Sequence, residues 1–267
     1  MQRVVAALDS LFLTKYQALG NDYLVVDAPS RFDAALVATT FLCDRHLGVG
    51  ADGVLLVDPA GGRVRVINPD GSEAEKSGNG LRIAAAHLVL AHGREGAFEL
   101  RVPAGAVMVR VLGVSGAEVT AEVDLGAARV GARERLEPPG VEVVPVDIGN
   151  PHCVVFGEPV SVERCAQLGP VLERHARFPA RANVQLAEAP TRATVHIEIW
   201  ERGAGYTLAS GTSAAAAAAA CMAAGIVDEE VRVVMPGGSL HVRREPDGRL
   251  LQTGPARRVF RGQVDLP

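Results

Sequence analysis

Residues 202–221 read RGAGYTLASGTSAAAAAAAC and place Ser210-Gly211-Thr212-Ser213 directly before seven consecutive alanines. A similar stretch, EKSGNGLRIAAAHL, occupies residues 75–88. Each serine can cap a helix, and alanine is the strongest helix former, so both stretches predict closely packed helices. Two ordinary N-caps explain each stretch taken singly. Their pairing in one chain predicts two helix N-termini that face one cleft and hold a single carboxylate with their free N–H groups.

Short strands dominate the rest of the chain in both halves. Apolar and polar residues alternate in stretches such as GRVRVINPDG (62–71) and TVHIEIWERG (194–203), with Gly, Pro and Asp between them, which predicts half-buried strands. Helices are predicted over four stretches: 31–43, 78–92, 162–175 and 211–225. Each half therefore holds many strands and one small-residue helix that begins at Ser-Gly. This internal duplication predicts an α+β fold with each such helix surrounded by sheet.

Length and a break in the pattern predict two domains. A chain of 267 residues exceeds the usual size of a single domain. Residues 125–140, LGAARVGARERLEPPG, are rich in Gly, Pro and charge and have little periodicity, so they predict a linker. We therefore expect an N-terminal domain over 11–125 and a C-terminal domain over 126–256.

Composition and charge exclude several classes of function. A net charge of −4 with scattered signs leaves no basic stripe for nucleic acid, and no apolar run approaches the roughly 18 residues of a membrane span. The N-terminus lacks the apolar core of a signal peptide, so we expect a cytoplasmic protein. The histidines show no H-x-x-x-H or H-E-x-x-H spacing, which predicts no metal site. The cysteines are too scattered for a disulfide framework and predict free, buried thiols: Cys43, Cys153, Cys165 and Cys221.

Local structure explains most features of three further motifs. GVGADG (48–53) matches G-x-G-x-x-G, but a predicted helix precedes it and a strand follows it, so a turn is predicted instead of a dinucleotide site. DIGNPHCVVF (147–156) places Asn150 and His152 at a turn before a strand, and its proline explains the turn but not the two polar side chains. Adjacent Glu201 and Arg202 on their own predict an exposed ion pair.

The chain as a whole resembles the diaminopimelate epimerases, cofactor-independent enzymes that invert one α-carbon of diaminopimelate. The resemblance runs from about residue 12 to 265 and rests on motifs in the family's order. They are KYQALGNDYLVVD, DRHLGVGADG, INPDGSEAEKSGNGLR, GNPH, ARANVQ, WERGAGYTLASGTSAA and TGPARRVFRG.

The resemblance implies a fold, a site and an assembly. The fold has two pseudo-symmetric domains, each a curled, mostly antiparallel sheet around a central helix, with 257–267 returning to the first domain. A small-molecule amino-acid substrate lies between the domains, no cofactor is needed, and the protein is a homodimer. The residues implied to hold the reacting carboxylate are Gly78, Asn79, Gly211 and Thr212. Those implied at the distal amino-acid end are Asn68, Asn150, Asn183, Glu201 and Arg202, with Asn21 as a further pocket residue and His152 near the reacting carbon.

The sequence departs from the family at the two proton-transferring positions. The family has a cysteine before each of these glycines, whereas this chain has Ser77 and Ser210. A serine hydroxyl has a pKa about 7 units above that of a thiol, roughly 10 kcal/mol, and a helix N-terminus supplies at most about 2 kcal/mol toward the anion. Serine alone is therefore not a sufficient base. Nearby residues that also differ are Tyr206, Leu208, Ser213 and Ala215.

The serines leave three interpretations open. The chain is an engineered Cys-to-Ser epimerase, a divergent racemase or isomerase in which His152 or Lys76 acts through serine or water on a related amino acid, or an inactive amino-acid-binding homologue. The clustered differences around Ser210 favour natural divergence over engineering. Because the residues for the distal end are retained, diaminopimelate remains the first substrate, converted from the LL to the meso form by proton transfer on two faces.

Overall fold

The computed structural model describes residues 10–27, 32–74 and 77–266, and of residues 32–37 it describes the backbone alone. Within these ranges the same order of strands and helices occurs two times, once in each half of the chain. The first half contains β1 (Ser10–Ala18), β2 (Asn21–Asp27), α1 (Phe32–Cys43), β3 (Gly53–Val57), β4 (Val64–Ile67), β5 (Glu73–Ala74), α2 (Gly78–His92), β6 (Ala97–Val102), β7 (Gly105–Ser115) and β8 (Glu118–Ala127). Two short strands follow, β9 (Arg129–Val130) and β10 (Glu134–Leu136). The second half contains β11 (Val141–Asp147), β12 (Pro151–Phe156), α3 (Val162–Glu173), β13 (Asn183–Thr191), β14 (Thr194–Glu201), β15 (Gly205–Thr207), α4 (Gly211–Ala223), β16 (Glu230–Met235), β17 (Gly238–Arg244) and β18 (Arg249–Asp265).

The strand pairing confirms the predicted pseudo-symmetry. In the first half β1–β2 is antiparallel, β2–β3 is parallel across α1, and β3–β4 is antiparallel. In the second half β11–β12, β12–β13 across α3, and β13–β14 repeat the same order of directions. Each set is followed by its central helix, α2 or α4, and then by three consecutive antiparallel strands. The molecule is therefore an α+β protein of two similar domains, in which most strand pairs are antiparallel.

The two small-residue helices lie at the centre of the sheets, as the sequence predicts. Every residue of α4 from Gly211 to Met222 is buried, and α2 is buried from Gly78 to Leu88. Alanine has no side chain beyond Cβ, so the strands can curl tightly around α4 and bury its whole circumference. The largest hydrophobic cluster of the described residues contains side chains from both helices.

The other two helices cover the outside of the sheets. α1 contributes Leu42 to a cluster with Leu24 and Leu56 of the first sheet. α3 contributes Leu168 and Leu172 to the equivalent cluster in the second half. Each sheet is therefore packed on both faces, which explains the nearly continuous burial of β3 and β12.

The helix bounds agree with the predicted ones to within a few residues. α2 covers the predicted range, and α3 ends at Glu173 instead of 175. α4 ends at Ala223, because Gly225 has a φ of +67° and leaves the helical conformation. Position 31 of the first predicted helix lies outside the described residues. Among the helices that the structure describes, none is long and apolar enough to cross a membrane.

The segment between the two halves is more ordered than predicted. Residues 125–140 were expected to form a linker, but they hold the end of β8 together with β9 and β10, which both pair with β11. These strands are only two or three residues long, so they leave no periodicity for the sequence to reveal. At the other end of the chain, β18 pairs with β17 over His241–Arg244 and with β8 and β1 of the first half.

Candidate active site

The site is built on the starts of the two central helices. Ser77 precedes α2 in an extended conformation, and its Oγ accepts a hydrogen bond from the N–H of Gly80 at 3.1 Å. Ser210 precedes α4 in the same conformation, and its Oγ accepts from the N–H of Ser213 at 3.4 Å. Each serine thus caps its helix. The N–H groups of the first two residues of each helix have no acceptor inside the helix and are available to an anion.

Two glycines bring these helix starts into contact. A Cβ atom placed on Gly211 would lie 3.0 Å from the Cα atom of Gly78, and one placed on Gly78 would lie 3.1 Å from the Cα atom of Gly211. Any larger residue would push the helices apart. The positive ends of the two helix dipoles therefore converge on one place, where they favour a negatively charged group.

A cleft of about 800 Å³ opens at this contact. It is lined by all but one of the residues that match the family's site positions: Asn21, Asn68, Ser77, Gly78, Asn79, Asn150, Asn183, Glu201, Arg202, Ser210, Gly211 and Thr212. These residues come from both halves of the chain. The structure therefore brings the two Ser-Gly starts and the distal set to a single cavity of a size suited to a small molecule.

A chain of hydrogen bonds orders the wall beside α2. Asn79 donates from Nδ2 to Oδ1 of Asn21 at 3.1 Å, and Asn21 donates from Nδ2 to Oδ2 of Asp52 at 2.7 Å. Arg45 holds the other oxygen of Asp52 at 2.7 Å and also bonds to Asp22. Because each amide both accepts and donates, the orientation of Asn21 and Asn79 is fixed before a ligand binds.

The opposite part of the cleft is held mainly by backbone contacts. Asn183 donates from Nδ2 to the carbonyl of Pro151 at 3.1 Å, and its Oδ1 accepts from the N–H of Arg202 at 3.0 Å. The guanidinium of Arg202 is exposed and donates to the carbonyl of Ala180 at 3.1 Å. The predicted ion pair of Arg202 with Glu201 is not among the salt bridges of the described residues. Both side chains instead border the cleft.

Glu201 stands next to Ser210 and has a perturbed carboxyl group. Burial raises the pKa of Glu201 above its ordinary value, and the negative charge of Asp52 adds to this, while a hydrogen bond with the Ser210 side chain acts in the opposite direction. Ser210 Oγ also lies 3.4 Å from the hydroxyl of Thr212. A carboxylate with a raised pKa is a better proton acceptor than an ordinary one. Glu201 and Ser210 therefore form a candidate base.

Tyr23 occupies the corresponding place beside Ser77. Its ring lies over Gly53, its partner in the parallel β2–β3 pair, and a Cβ on Gly53 would lie 2.8 Å from Tyr23 Cε1. Burial raises the pKa of Tyr23 well above its ordinary value, and a hydrogen bond with Ser77 works against this rise. The phenol is therefore protonated at neutral pH and can act as a hydrogen-bond or proton donor at Ser77.

His152 is the one predicted site residue that the structure does not bring to the cleft. The side chain is completely buried, donates from Nε2 to Oδ1 of Asn150 at 3.0 Å, and contacts Nε2 of Gln185 with Nδ1 at 3.1 Å. Burial lowers the pKa of His152 to about 3. The neutral ring lies behind Asn150 and orients this amide, which does line the cleft. The alternative base, Lys76, lies outside the described residues.

Tyr23 and Asp52 also line the cleft, although no motif of the sequence marks them as site residues. Tyr23 follows Asn21 by two positions in β2, so both side chains lie on the same face of the strand. Asp52 ends the GVGADG turn and accepts from both Asn21 and the backbone N–H of Asp22. The turn itself is confirmed, since β3 begins at Gly53. This turn places Asp52 in the lining of the cleft.

Three possible metal-binding side chains come together at the far end of α2. Asp27 accepts from Nε2 of His87 at 2.7 Å and contacts Nε2 of His92 at 3.1 Å, and all the potential ligand atoms lie within 4.8 Å of one another. The spacing rules overlooked this cluster because the histidines are five residues apart and the aspartate is distant in sequence. Tyr16 completes it by contacting Nδ1 of His87 at 3.3 Å. Hydrogen bonds account for the whole arrangement.

Known structures that share this fold include proteins named as epimerases and racemases. A predicted epimerase from Pseudomonas aeruginosa aligns with a TM-score of 0.74 at 20% identity, covering 95% of this chain and 99% of that one. A hydroxyproline epimerase from Agrobacterium vitis, with bound trans-4-hydroxy-L-proline, aligns with a TM-score of 0.73 at 16% identity, covering 97% and 93%. At these identities the comparison establishes the fold alone.

The sequence relatives identify the family within this class. The sequence model of diaminopimelate epimerase matches residues 13–130 and 144–259. The diaminopimelate epimerase of Synechococcus elongatus is 35% identical over 277 residues, covering 96% of this chain and 99% of the relative. That of a Cyanothece species is 37% identical over 286 residues, covering 95% and 99%. The chain belongs to the diaminopimelate epimerase family and is an isomerase of the epimerase and racemase type.

Proposed function

We propose that this protein binds diaminopimelate in the cleft and inverts one of its α-carbons by proton transfer, with Ser210 and Ser77 acting on the two faces. The observation that carries this proposal is the contact of two serine-capped helix starts at Gly78 and Gly211, which both open on one cleft. The relatives named diaminopimelate epimerase, which match nearly the whole chain, support the choice of substrate.

The helix starts bind the carboxylate next to the reacting carbon. The free N–H groups of Gly78, Asn79, Gly211 and Thr212 point into the cleft from two helices whose dipoles add. When the α-carbon loses its proton, negative charge moves onto this carboxylate, and prearranged donors stabilise such charge most strongly in the transition state. The same groups therefore bind the substrate and lower the barrier to proton removal.

The remaining polar groups of the cleft bind the distal amino-acid end of the substrate. Arg202 supplies a positive charge for the distal carboxylate, and Asn68, Asn150 and Asn183 supply amide donors and acceptors. Diaminopimelate carries an amino group and a carboxylate at both ends, which suits a cleft with one anion site at the helix starts and a second set of polar groups opposite. A shorter amino acid would leave this second set without partners.

Glu201 overcomes the weakness of serine as a base. In the proposed step the Oγ of Ser210 takes the α-proton while its own hydroxyl proton passes to the carboxylate of Glu201. The C–H bond breaks, the electron pair remains on the substrate, and the negative charge moves from Glu201 to the carbanion. No serine alkoxide forms, so the cost of roughly 10 kcal/mol that separates a free alcohol from a thiol is avoided.

Ser77 and Tyr23 act together on the other face. The hydroxyl of Ser77 gives its proton to the α-carbon and takes the proton of Tyr23. A protonated Glu201 and a Tyr23 phenolate remain, and both exchange with solvent to restore the starting state. The raised pKa of Tyr23 keeps the phenol in its proton-donating form at neutral pH but makes it a weaker acid, and the hydrogen bond with Ser77 lessens this penalty.

Proton NMR of LL-diaminopimelate with the protein in D₂O tests the proposal. We expect the α-proton signal to decay while meso-diaminopimelate appears. Ser210→Ala should slow this decay by about 100-fold or more, because a positioned proton-transfer group contributes about 10² to 10⁴ in rate. Ser161→Ala is the matched control, since Ser161 caps α3 in the same way, away from the lining of the cleft.

Three outcomes contradict the proposal or a part of it. If diaminopimelate raises the melting temperature of the protein but its α-proton never exchanges, the cleft binds the ligand without chemistry. If neither isomer binds while another amino acid does, the substrate is wrong, and exchange of the α-proton of that amino acid then decides whether the class of reaction stands. A decay that is equally fast in Ser210→Ala would move the base to another residue.

We further propose that the domains comprise residues 11–125 with 257–267, and residues 126–256. The pairing of β18 with β1 over Arg257–Asp265 supports the return of the chain to the first domain. We also propose a homodimer formed through this sheet. Large apolar side chains are exposed on its strands β1, β7 and β18, among them Phe12, Leu112 and Phe260, and such patches mark interfaces.

A cytoplasmic location is proposed from the thiols. Cys43, Cys153, Cys165 and Cys221 are all free and buried. Secreted proteins generally pair their cysteines, whereas reducing compartments keep them as thiols. The burial of these four side chains makes them part of the hydrophobic core and explains their presence without any reactive role.

A further inference from the structure

A buried arginine lies directly beneath the two helix starts. Arg82 is in the second turn of α2, and none of its surface is accessible to solvent. Its Nη2 donates to Oδ1 of Asn79 at 2.6 Å, and its Nη1 donates to Oε1 of Gln252 and toward the carbonyl of Gly78 at 3.4 Å. Its Nε lies 3.5 Å from the carbonyl of Pro255. All four acceptors are neutral.

A buried guanidinium with only neutral acceptors is uncommon. Burial of a charge costs free energy that proteins normally recover by pairing it with an opposite charge. Among the described residues, none of the carboxylates makes a hydrogen bond or salt bridge to Arg82. Burial is also the only cause that lowers the pKa of Arg82, to about 9, so the side chain is positively charged at neutral pH.

Arg82 is linked to both sides of the carboxylate site through one amide each. On the α2 side it holds Asn79, whose own N–H belongs to the first turn that faces the cleft. On the α4 side it holds Gln252, which donates from Nε2 to the carbonyl of Gly211 at 2.6 Å. The full positive charge of Arg82 therefore adds to the positive ends of the two helix dipoles, near the contact between Gly78 and Gly211.

We propose that Arg82 is a positioning residue for the reacting carboxylate, which serves as the counter-charge of this buried guanidinium. The free protein carries the cost of an uncompensated charge, and the ligand relieves it on binding. The charge also stabilises the negative charge that develops on the carboxylate as the α-proton leaves. This inference rests on the proposed function only in requiring a ligand with a carboxylate at the helix starts.

The test compares LL-diaminopimelate with L-lysine, which lacks one of the two carboxylates. When L-lysine binds through its amino-acid group at the distal end, it leaves the helix starts without a carboxylate, so the ratio of the two dissociation constants reports the contribution of the reacting carboxylate. The reverse orientation of lysine would be recognised by exchange of its α-proton in D₂O. We expect Arg82→Gln, which is polar but neutral, to reduce the preference for diaminopimelate by about 100-fold or more. Arg82→Lys, which keeps the charge but not the geometry of its hydrogen bonds, should retain the preference to within about 10-fold.

Gln252→Glu provides a second variant that keeps the acceptor for Arg82. It supplies an internal counter-charge, so we expect a higher melting temperature for the free protein and at least a 10-fold weaker preference for diaminopimelate. Arg94→Gln is the matched control, because Arg94 also donates to backbone carbonyls, those of Pro59 and Ala60, away from the cleft. It should leave the preference unchanged.

Each failure has a separate meaning. If the wild-type protein binds neither compound, the proposed substrate is wrong. If the wild type prefers diaminopimelate, and Arg82→Gln or Gln252→Glu keeps that preference, the electrostatic role of Arg82 is overturned. Equal losses in Arg82→Lys and Arg82→Gln would also overturn it, because they would show that the hydrogen bonds of Arg82, and not its charge, shape the site.

Discussion

At the scale of single residues, Ser77 and Ser210 each serve two purposes. Their Oγ atoms cap α2 and α4 by accepting from Gly80 and Ser213, and each also has a titratable neighbour, Tyr23 for Ser77 and Glu201 for Ser210. Capping by serine contributes about 1 kcal/mol to stability. A thiol is a weaker cap but a much better proton-transfer group, so stability and acid–base strength oppose each other at these two positions.

Introducing cysteine at positions 77 and 210 tests whether helix stability and proton-transfer strength change in opposite directions. We expect Ser77→Cys with Ser210→Cys to increase the rate of α-proton exchange by at least 100-fold, because the pKa of a thiol lies about 7 units below that of an alcohol. The free energy of unfolding should fall by about 1 kcal/mol for each weakened cap. Proton NMR in D₂O measures the rate of exchange, and denaturant titration measures the free energy of unfolding.

Ser161→Cys is the control for the capping effect, since it weakens the N-cap of α3 and should leave exchange unchanged. An absence of any gain in the double variant would contradict the expectation. It would mean that the differences around Ser210, such as Tyr206 and Leu208, have already changed the shape of the pocket. Tyr206 donates to Glu198 at 2.7 Å, and Leu208 is half exposed.

Glu201→Gln should reduce activity and increase stability at neutral pH. Because the pKa of Glu201 is higher in the folded protein than its ordinary value of 4.5, ionising this group costs the folded state free energy as the pH rises above 4.5. The variant should therefore be more stable than the wild type at pH 8, and the difference should vanish near pH 4. Exchange should slow by at least 100-fold.

Thermal unfolding across this pH range, together with exchange in D₂O, measures both effects. Glu198→Gln, on the same strand, is the control and should leave exchange within a few-fold of the wild type. Exchange that is unaffected by Glu201→Gln would remove Glu201 from the mechanism. A stability difference that grows toward low pH would contradict the direction of its pKa shift.

At the scale of the elements, the starts of α2 and α4 can form one anion site only because the two helices are in direct contact. A glycine replaced by alanine inside a helix usually gains about 0.5 to 1 kcal/mol. At Gly211 the added Cβ would lie 3.0 Å from Gly78 Cα and 2.8 Å from Gln252 Oε1. Helix propensity therefore favours alanine at position 211, whereas the contact between the two helices requires glycine. Glycine is the residue present.

Gly211→Ala should destabilise the protein by about 1 to 3 kcal/mol, the usual cost of overpacking. It should also weaken carboxylate binding, because the two sets of N–H groups move apart. Gly113→Ala is the matched control, since Gly113 lies in β7 and nothing lies within 4 Å of its added Cβ. Denaturant unfolding and ligand titration of both variants check this, and equal stabilities would argue against a tight contact in solution.

At the scale of the whole molecule, duplication creates the site. Each half alone supplies one helix start and half of the polar side chains, and neither encloses a ligand. β18 ties the halves together by pairing with β17 and then with β1 along one edge and with β8 along the other. The buried bridge from Arg82 to Gln252 and Gly211 crosses the same boundary. The cleft therefore forms only when both halves of the chain are packed together.

The sequence by itself determined the repeated elements and the central helices, because these depend on local signals: serine caps, runs of alanine and alternation in strands. Its motifs, through the family resemblance, also named twelve of the residues that line the cleft, whereas Tyr23, Arg45 and Asp52 were not among them. Only the tertiary structure decided three other matters. It placed Tyr23 and Glu201 beside the serines, buried His152 behind Asn150, and joined Arg82 to Gln252, 170 positions away. Burial and charge pairing depend on residues distant in the chain, so the electrostatics of the site appear only once the two halves have packed together.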